Sequence, residues 1–157
     1  MKKITTTVAA VFAVALLALP GTARGQDVQL GPQLSLADDY DAGLGGRAVF
    51  NVGDPGGWEG TGSFDVFFPD GDVDYWELNG NLVYNFPVEE SRTFFPYLGG
   101  GLNIARVEAG TLEDTDLGVN IVGGSKFDAE GVTPFVEARV EIEGGEQFVL
   151  TGGFLFP

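Results

Sequence analysis

The sequence predicts an all-β protein: an eight-stranded antiparallel up-and-down transmembrane β-barrel preceded by a cleavable signal peptide. Three observations predict it. Eight segments after Gln26 alternate apolar and polar residues, as strand side chains pointing to opposite faces do. Turn-forming Gly, Asp, Pro and Glu separate every pair of segments, as in "GDPGGWEG", "PDGDVD", "PVEESRT" and "DAEGV". Glycine crowds the polar face, where a solvated strand would carry Thr, Lys or Glu, whereas the cramped interior of a small barrel needs residues without side chains.

The first element is not a strand. "MKK" leads into the apolar run Val8–Leu19, and Pro20 with the small residues of "GTARG" closes it, which is the layout of a secretory signal peptide. The run has 12 residues, short of the roughly 20 that a spanning helix needs. Ala23 and Gly25 suit the positions before a cut, so residues 1–25 form the signal peptide and 26–157 the barrel domain; a cut after Ala23 is the alternative. No cysteine follows that could carry a lipid anchor.

The strands then follow in order. In "VQLGPQLSL" (28–36), Val28, Leu30, Leu34 and Leu36 share one face and Gln29, Gln33 and Ser35 the other. In "LGGRAVFNV" (44–52), Leu44, Ala48 and Phe50 oppose Gly45, Arg47 and Asn51. "TGSFDVFF" (61–68) sets Phe64, Val66 and Phe68 against Asp65. "YWELNGNLVYNF" (75–86) sets Trp76, Leu78, Leu82, Tyr84 and Phe86 against Glu77, Asn79 and Asn81. In "FPYLGGGLNIARV" (95–107), Leu98, Leu102 and Ile104 oppose Gly99, Gly101 and Asn103. "LGVNIVGGSKF" (117–127) opposes Leu117, Val119, Ile121 and Phe127 to Gly118, Asn120, Gly124 and Lys126. "TPFVEARVEI" (133–142) opposes Val136, Ala138, Val140 and Ile142 to Glu137, Arg139 and Glu141. "FVLTGGFLF" (148–156) ends the set, with Phe148, Leu150, Phe154 and Phe156 against Thr151 and Gly153.

The apolar face is expected to meet lipid. Its aromatics concentrate toward strand ends, where rings sit at a membrane boundary. Lipid offers no partner for backbone N–H and C=O, so the sheet must close on itself. The competing architecture is an exported soluble barrel holding an apolar ligand in lipocalin fashion, which would turn the leucines inward. A narrow channel is a third reading.

The charges are segregated. Without residues 1–25 the basic count falls from 8 to 5 against 23 acids, moving the formal charge from −15 to −18. Such a field repels nucleic acid and anionic headgroups and attracts divalent cations or basic partners. Yet the polar face holds Arg47, Lys126 and Arg139 against Asp65, Glu77, Glu137 and Glu141, close to balance. A buried charge needs a partner. These seven residues are therefore expected to form an ion-pair network that plugs the lumen, with Arg47 approaching Asp65 on the next strand and Glu137 lying among Lys126 and Arg139.

With eight strands both termini share one side, and the connectors at the other end are 37–43, 69–74, 108–116 and 143–147, all acidic. In "DGDVD", Asp70, Asp72 and Asp74 are a weak calcium candidate, because Tyr75 stands where the calcium loop of an EF-hand needs glycine and Asn81 where it needs its closing glutamate. The chain has no histidine and no cysteine, which removes Ser-His triads, histidine metal sites and cysteine nucleophiles together. No enzyme activity and no cofactor are expected.

At "PYLGGGLNI", "GVNIVGGSKF", "TPFVEARVEI" and the closing "LTGGFLF", the chain resembles the bacterial outer-membrane protein β-barrel domain family, the OmpA-like and OmpX-like eight-stranded barrels. The resemblance implies a monomeric barrel in the outer membrane of a Gram-negative bacterium, in contact with its lipid and lipopolysaccharide and inserted by the barrel assembly machinery. It departs from the family where Pro157 follows Phe156, since the family's assembly signal usually ends on the aromatic residue. The periplasmic peptidoglycan-binding domain of full-length OmpA-type proteins has no counterpart here, so wall anchoring is not implied.

Overall fold

The computed structural model describes residues 28–53, 57–89, 93–143 and 146–157; the expected signal peptide, 1–25, lies outside them. Eight strands run β1 (Val28–Ala37), β2 (Asp41–Asn51), β3 (Trp58–Phe67), β4 (Val73–Asn85), β5 (Phe94–Ala109), β6 (Leu112–Phe127), β7 (Thr133–Ile142) and β8 (Phe148–Leu155). Each pairs antiparallel with its chain neighbours, and β8 returns to β1 through Gln33↔Gly153 to Ala37↔Val149, closing the barrel. Closure leaves no edge along the paired rows, the condition a wall in lipid must meet.

The alternation read from the sequence sets the two faces. Leu34, Leu44, Leu98, Leu102 and Leu117 are all at least half exposed, while Asn79, Asn103 and Asn120 are buried. Phe50, Trp58, Tyr84, Phe86, Phe127 and Phe156 gather at the end of the barrel that holds the termini, where Val28 pairs with Phe50, Trp58 with Tyr84 and Leu30 with Phe156. Trp58, assigned to a connector from the sequence, begins β3 and packs edge-on against Tyr84 at 5.1 Å between ring centres. Fewer rings, among them Phe68, Trp76 and Phe148, mark the opposite end.

Some of the expected connectors are shorter than the sequence suggests, since β2 begins at Asp41 and β4 at Val73, and one of them all but vanishes. Residues 108–116 are almost wholly strand: Ala109 pairs with Leu112, so β5 and β6 meet in a two-residue turn. Gly110 at φ 64° takes the left-handed conformation that such a hairpin turn demands. The acidic residues Glu113, Asp114 and Asp116 therefore extend a hairpin and are exposed, with Asp114 opposite Val107 and Asp116 opposite Ala105. β6 joins β7 only from Val119, so its first residues stand above the rim of β7.

Candidate functional site

Among the described residues, the lumen is the one region where polar chemistry is concentrated and shielded. Three apolar clusters bracket it. At the hairpin end Ala37, Phe67, Tyr75, Ala105 and Val149 pack together with Tyr40 and Val107. At the end holding the termini, Val49, Phe135 and Leu155 form one cluster and Val83, Tyr97 and Val122 another. These inward apolar residues were not picked out from the sequence. Their signal was parity, since Phe67, Val83 and Phe135 each sit one position from an outward apolar neighbour and so belong to the inward set.

Between the clusters the charges pair across the tube. Arg47 on β2 makes a two-pronged bridge to Glu137 on β7, Nη1 to Oε2 at 2.7 Å and Nη2 to Oε1 at 2.6 Å. Its Nε donates to Gln33 at 2.8 Å, its guanidinium lies 4.4 Å from the Phe135 ring centre, and Tyr97 Oη donates to Glu137 at 2.8 Å. Arg139 on β7 donates to Glu77 on β4 at 2.6 Å and to Glu141 at 2.7 Å, all three side chains being fully enclosed. The Tyr75 hydroxyl and the Gln147 amide both donate to Glu77, and Gln147 also donates to Glu141 at 3.0 Å. Paired, hydrogen-bonded charges are the form in which ions are kept away from water.

Two of the expected pairings are corrected. Arg47 is bonded to Glu137 rather than Asp65; Asp65 instead accepts two bonds from Gln33 at 2.8 Å and one from Ser35 at 3.0 Å. Lys126 is bonded to Glu59 on β3 at 2.5 Å and not to Glu137. Adjacent-strand reasoning failed because in so narrow a tube a long side chain crosses the lumen more readily than it bends to its neighbour. Asp70, Asp72 and Asp74 also fail to converge: Asp74 lies in β4, and among the described residues no group of three potential ligands is arranged to hold a metal ion.

Glycine explains the remaining contacts. Gly45 stands in register between Gln33 and Asp65, Gly101 between Asn81 and Asn120, and Gly124 between Tyr97 and Glu137. In each row the flanking side chains bond over the glycine: Gln33 to Asp65 at 2.8 Å, Asn120 to Asn81 at 3.1 Å, Tyr97 to Glu137 at 2.8 Å. A methyl group at Gly124 would collide with the Val136 carbonyl oxygen and lie 2.7 Å from the Tyr97 ring, and one at Gly101 would collide with the Gly80 carbonyl oxygen and lie 2.6 Å from the Asn81 amide oxygen. The missing side chain leaves room both for the backbone of the adjacent strand and for the bond. At the mouth, outside this network, burial and then the fields of Asp39, Glu77 and Asp116 raise the Tyr40 phenol above its ordinary range, so it stays neutral.

Neither a protein-family model nor a curated sequence matches the chain. Solved structures do. The chain is similar to Neisserial surface protein A (15% identity, 85% of this chain and 99% of that one, TM-score 0.57). It is likewise similar to the N-terminal β-barrel domain of Pseudomonas aeruginosa OprF (18% identity, 82% and 96%, TM-score 0.62). A third is Ail, the attachment invasion locus protein of Yersinia pestis (15% identity, 83% and 94%, TM-score 0.54). The shared feature is the eight-stranded closed barrel fold, and here its apolar residues face outward.

Proposed function

We propose that this chain is a non-enzymatic integral protein of a Gram-negative outer membrane, with a lumen closed by its own side chains and a structural or surface-interaction role. Orientation carries the reading. Residues that favour hydrocarbon, such as Leu82, Leu98 and Leu150, face away from the barrel axis, and amides and paired charges face it. A lipocalin-like carrier needs the reverse arrangement. The outer-membrane barrels of similar fold support the location, and the precursor layout of residues 1–25 supports export.

Closure of the lumen is supported by the Arg139 to Glu77 and Arg47 to Glu137 struts and by the apolar clusters on either side of them. The absence of histidine and cysteine from the sequence removes Ser-His triads, histidine metal sites and cysteine nucleophiles. In this reading the protein is a monomer, contacts lipid and lipopolysaccharide through its wall, and reaches the membrane through the barrel assembly machinery.

Cell fractionation with heat-modifiable migration in detergent tests the proposal. The protein is expected in the outer-membrane fraction, migrating faster before boiling than after. Recovery as a water-soluble periplasmic monomer would overturn it. In planar bilayers the purified barrel is expected to give no steady single-channel conductance; a reproducible step current would overturn the closed lumen while leaving the location intact.

A further inference from the structure

The hairpin end of the barrel opens into a cavity of about 440 Å³. Its floor is aromatic: Tyr40 stacks on Tyr75 with ring centres 3.8 Å apart and planes within 11°. Its walls are the inward face of the projecting hairpin, where Ala105 pairs with Asp116 and Val107 with Asp114 one step nearer the turn, and Glu146 completes the lining. Arg106, the cation on this hairpin, faces outward, where Glu108 and Glu113 hold it at 2.8 and 2.9 Å. Among the described residues no base is ion-paired with Asp114, Asp116 or Glu146.

The charge below the floor has the same sign. Tyr75 donates to Glu77, and Arg139 is the one guanidinium bonded to both Glu77 and Glu141. Gln147, 3% exposed and bonded to the Tyr75 hydroxyl through its amide, leaves its carbonyl oxygen without a partner among the described residues. The mouth thus combines a neutral ring face, three carboxylates without a basic partner among the described residues, of which Asp114 accepts the Thr115 N–H at 3.0 Å, and a lumen with more acid than base beneath it. A ring face attracts a desolvated cation through its quadrupole, and carboxylates fix a guanidinium or ammonium by charge-assisted hydrogen bonds. Metal ions want several oxygens converging on one point, and among the described residues no such group forms.

We propose that this mouth is a binding site for organic cations, a guanidinium or ammonium group laid on Tyr40 and held by Asp114 and Asp116. The group comes either on a free small molecule or on an extended basic peptide. The inference stands on the cavity alone and does not depend on which membrane holds the barrel.

The test uses the full chain refolded in non-ionic detergent, titrated calorimetrically with arginine amide, spermidine and a tri-arginine peptide. Folding of every variant is checked by heat-modifiable migration. Saturable one-site binding is expected. Asp114→Asn with Asp116→Asn should weaken it at least about tenfold, Tyr40→Leu several-fold, and Tyr40→Phe little, since the ring is kept. Asp128→Asn, at the opposite end of the barrel, should leave it unchanged. Comparable affinity for arginine amide and tri-arginine supports a free small cation, and much tighter binding of the peptide supports a peptide side chain. The proposal is overturned if none of the three probes saturates. It is equally overturned if Asp128→Asn weakens binding as much as the hairpin pair does, or if sodium chloride at matched ionic strength displaces the probe as well as a second organic cation does, because the acidic field then acts only diffusely.

Discussion

On β4, Asn81 and Leu82 are consecutive residues that live under different rules. Leu82 faces outward, 45% exposed, and touches no obligatory partner; Asn81 faces the lumen, 7% exposed, and accepts a hydrogen bond from Asn120 two strands away. The outer wall asks of each residue only that it be apolar, so it is a property of composition and parity. The lumen asks for particular partners at particular distances, so it is a property of closure. The same contrast holds along every strand, and it means that the two faces should fail in different ways when altered.

The largest effect belongs inside. Arg139→Leu leaves Glu77 and Glu141 enclosed without their guanidinium, and breaking one partner out of a buried ion pair costs about 3–5 kcal/mol. The measurement is the midpoint of urea unfolding of the barrel refolded in detergent or lipid, followed by tryptophan fluorescence. A loss below about 1 kcal/mol, the range of exposed ion pairs, would mean that water screens these charges and the lumen is open. Replacing Arg139, Glu77 and Glu141 together by apolar residues of similar size should recover much of the loss, because the cost lies in the unpaired ions rather than in the missing bridge.

Next comes the wall. Leu82→Arg puts a charge against hydrocarbon and should destabilise by about 2–4 kcal/mol in lipid, whereas Asn81→Ala removes one acceptor from an amide that keeps its bond to Asn79 and should cost about 1 kcal/mol. The ranking, read from paired unfolding titrations in vesicles, is the informative quantity. If Asn81→Ala proved the more damaging, the faces would be exchanged and the membrane reading would be lost.

The wall was legible before any coordinates, and the lumen only in part. Period-two alternation located all eight strands and turned Leu34, Leu44, Leu78 and Ile121 outward, because parity is a local property of the chain. The boundaries of β6 were less visible: "LEDTDLG" is acidic and looks like a loop, but a two-residue turn at Gly110 carries strand pairing through it. The pairing of Arg47 with Glu137 was not legible at all. Those residues are 90 positions apart and come together through two intervening strands, β1 and β8, whose junction exists only after the ring closes. What could have been read is the glycine rule. Once register is known, the inward glycines Gly45, Gly101 and Gly124 mark places where the side chains on either side meet.

Two glycines of the same sheet, Gly124 inside and Gly80 outside, supply the sharpest remaining contrast, because they should respond with opposite signs. Gly124→Ala sets a methyl against the Val136 carbonyl oxygen and 2.7 Å from the ring and hydroxyl of Tyr97, which is held by its bond to Glu137. Overpacking of this kind costs about 1–3 kcal/mol, and Tyr97→Phe in the same background should not relieve it, since the ring remains.

Gly80→Ala is the smallest change expected and runs the other way. Gly80 lies on the outward face of β4, opposite Gly62 and Leu102, and an added Cβ meets nothing within 4 Å. Extended backbone suits alanine, and replacing a strand glycine reduces the freedom lost on folding, so the variant should gain roughly 0.5–1 kcal/mol. In lipid the methyl also adds to the apolar wall, so the gain measured in vesicles should be at least that measured in urea-titrated micelles. A destabilised Gly80→Ala would place a neighbour against that position, which an outward face in lipid does not provide; the glycine would then be serving close packing against another protein surface, and the wall would no longer be a region without partners.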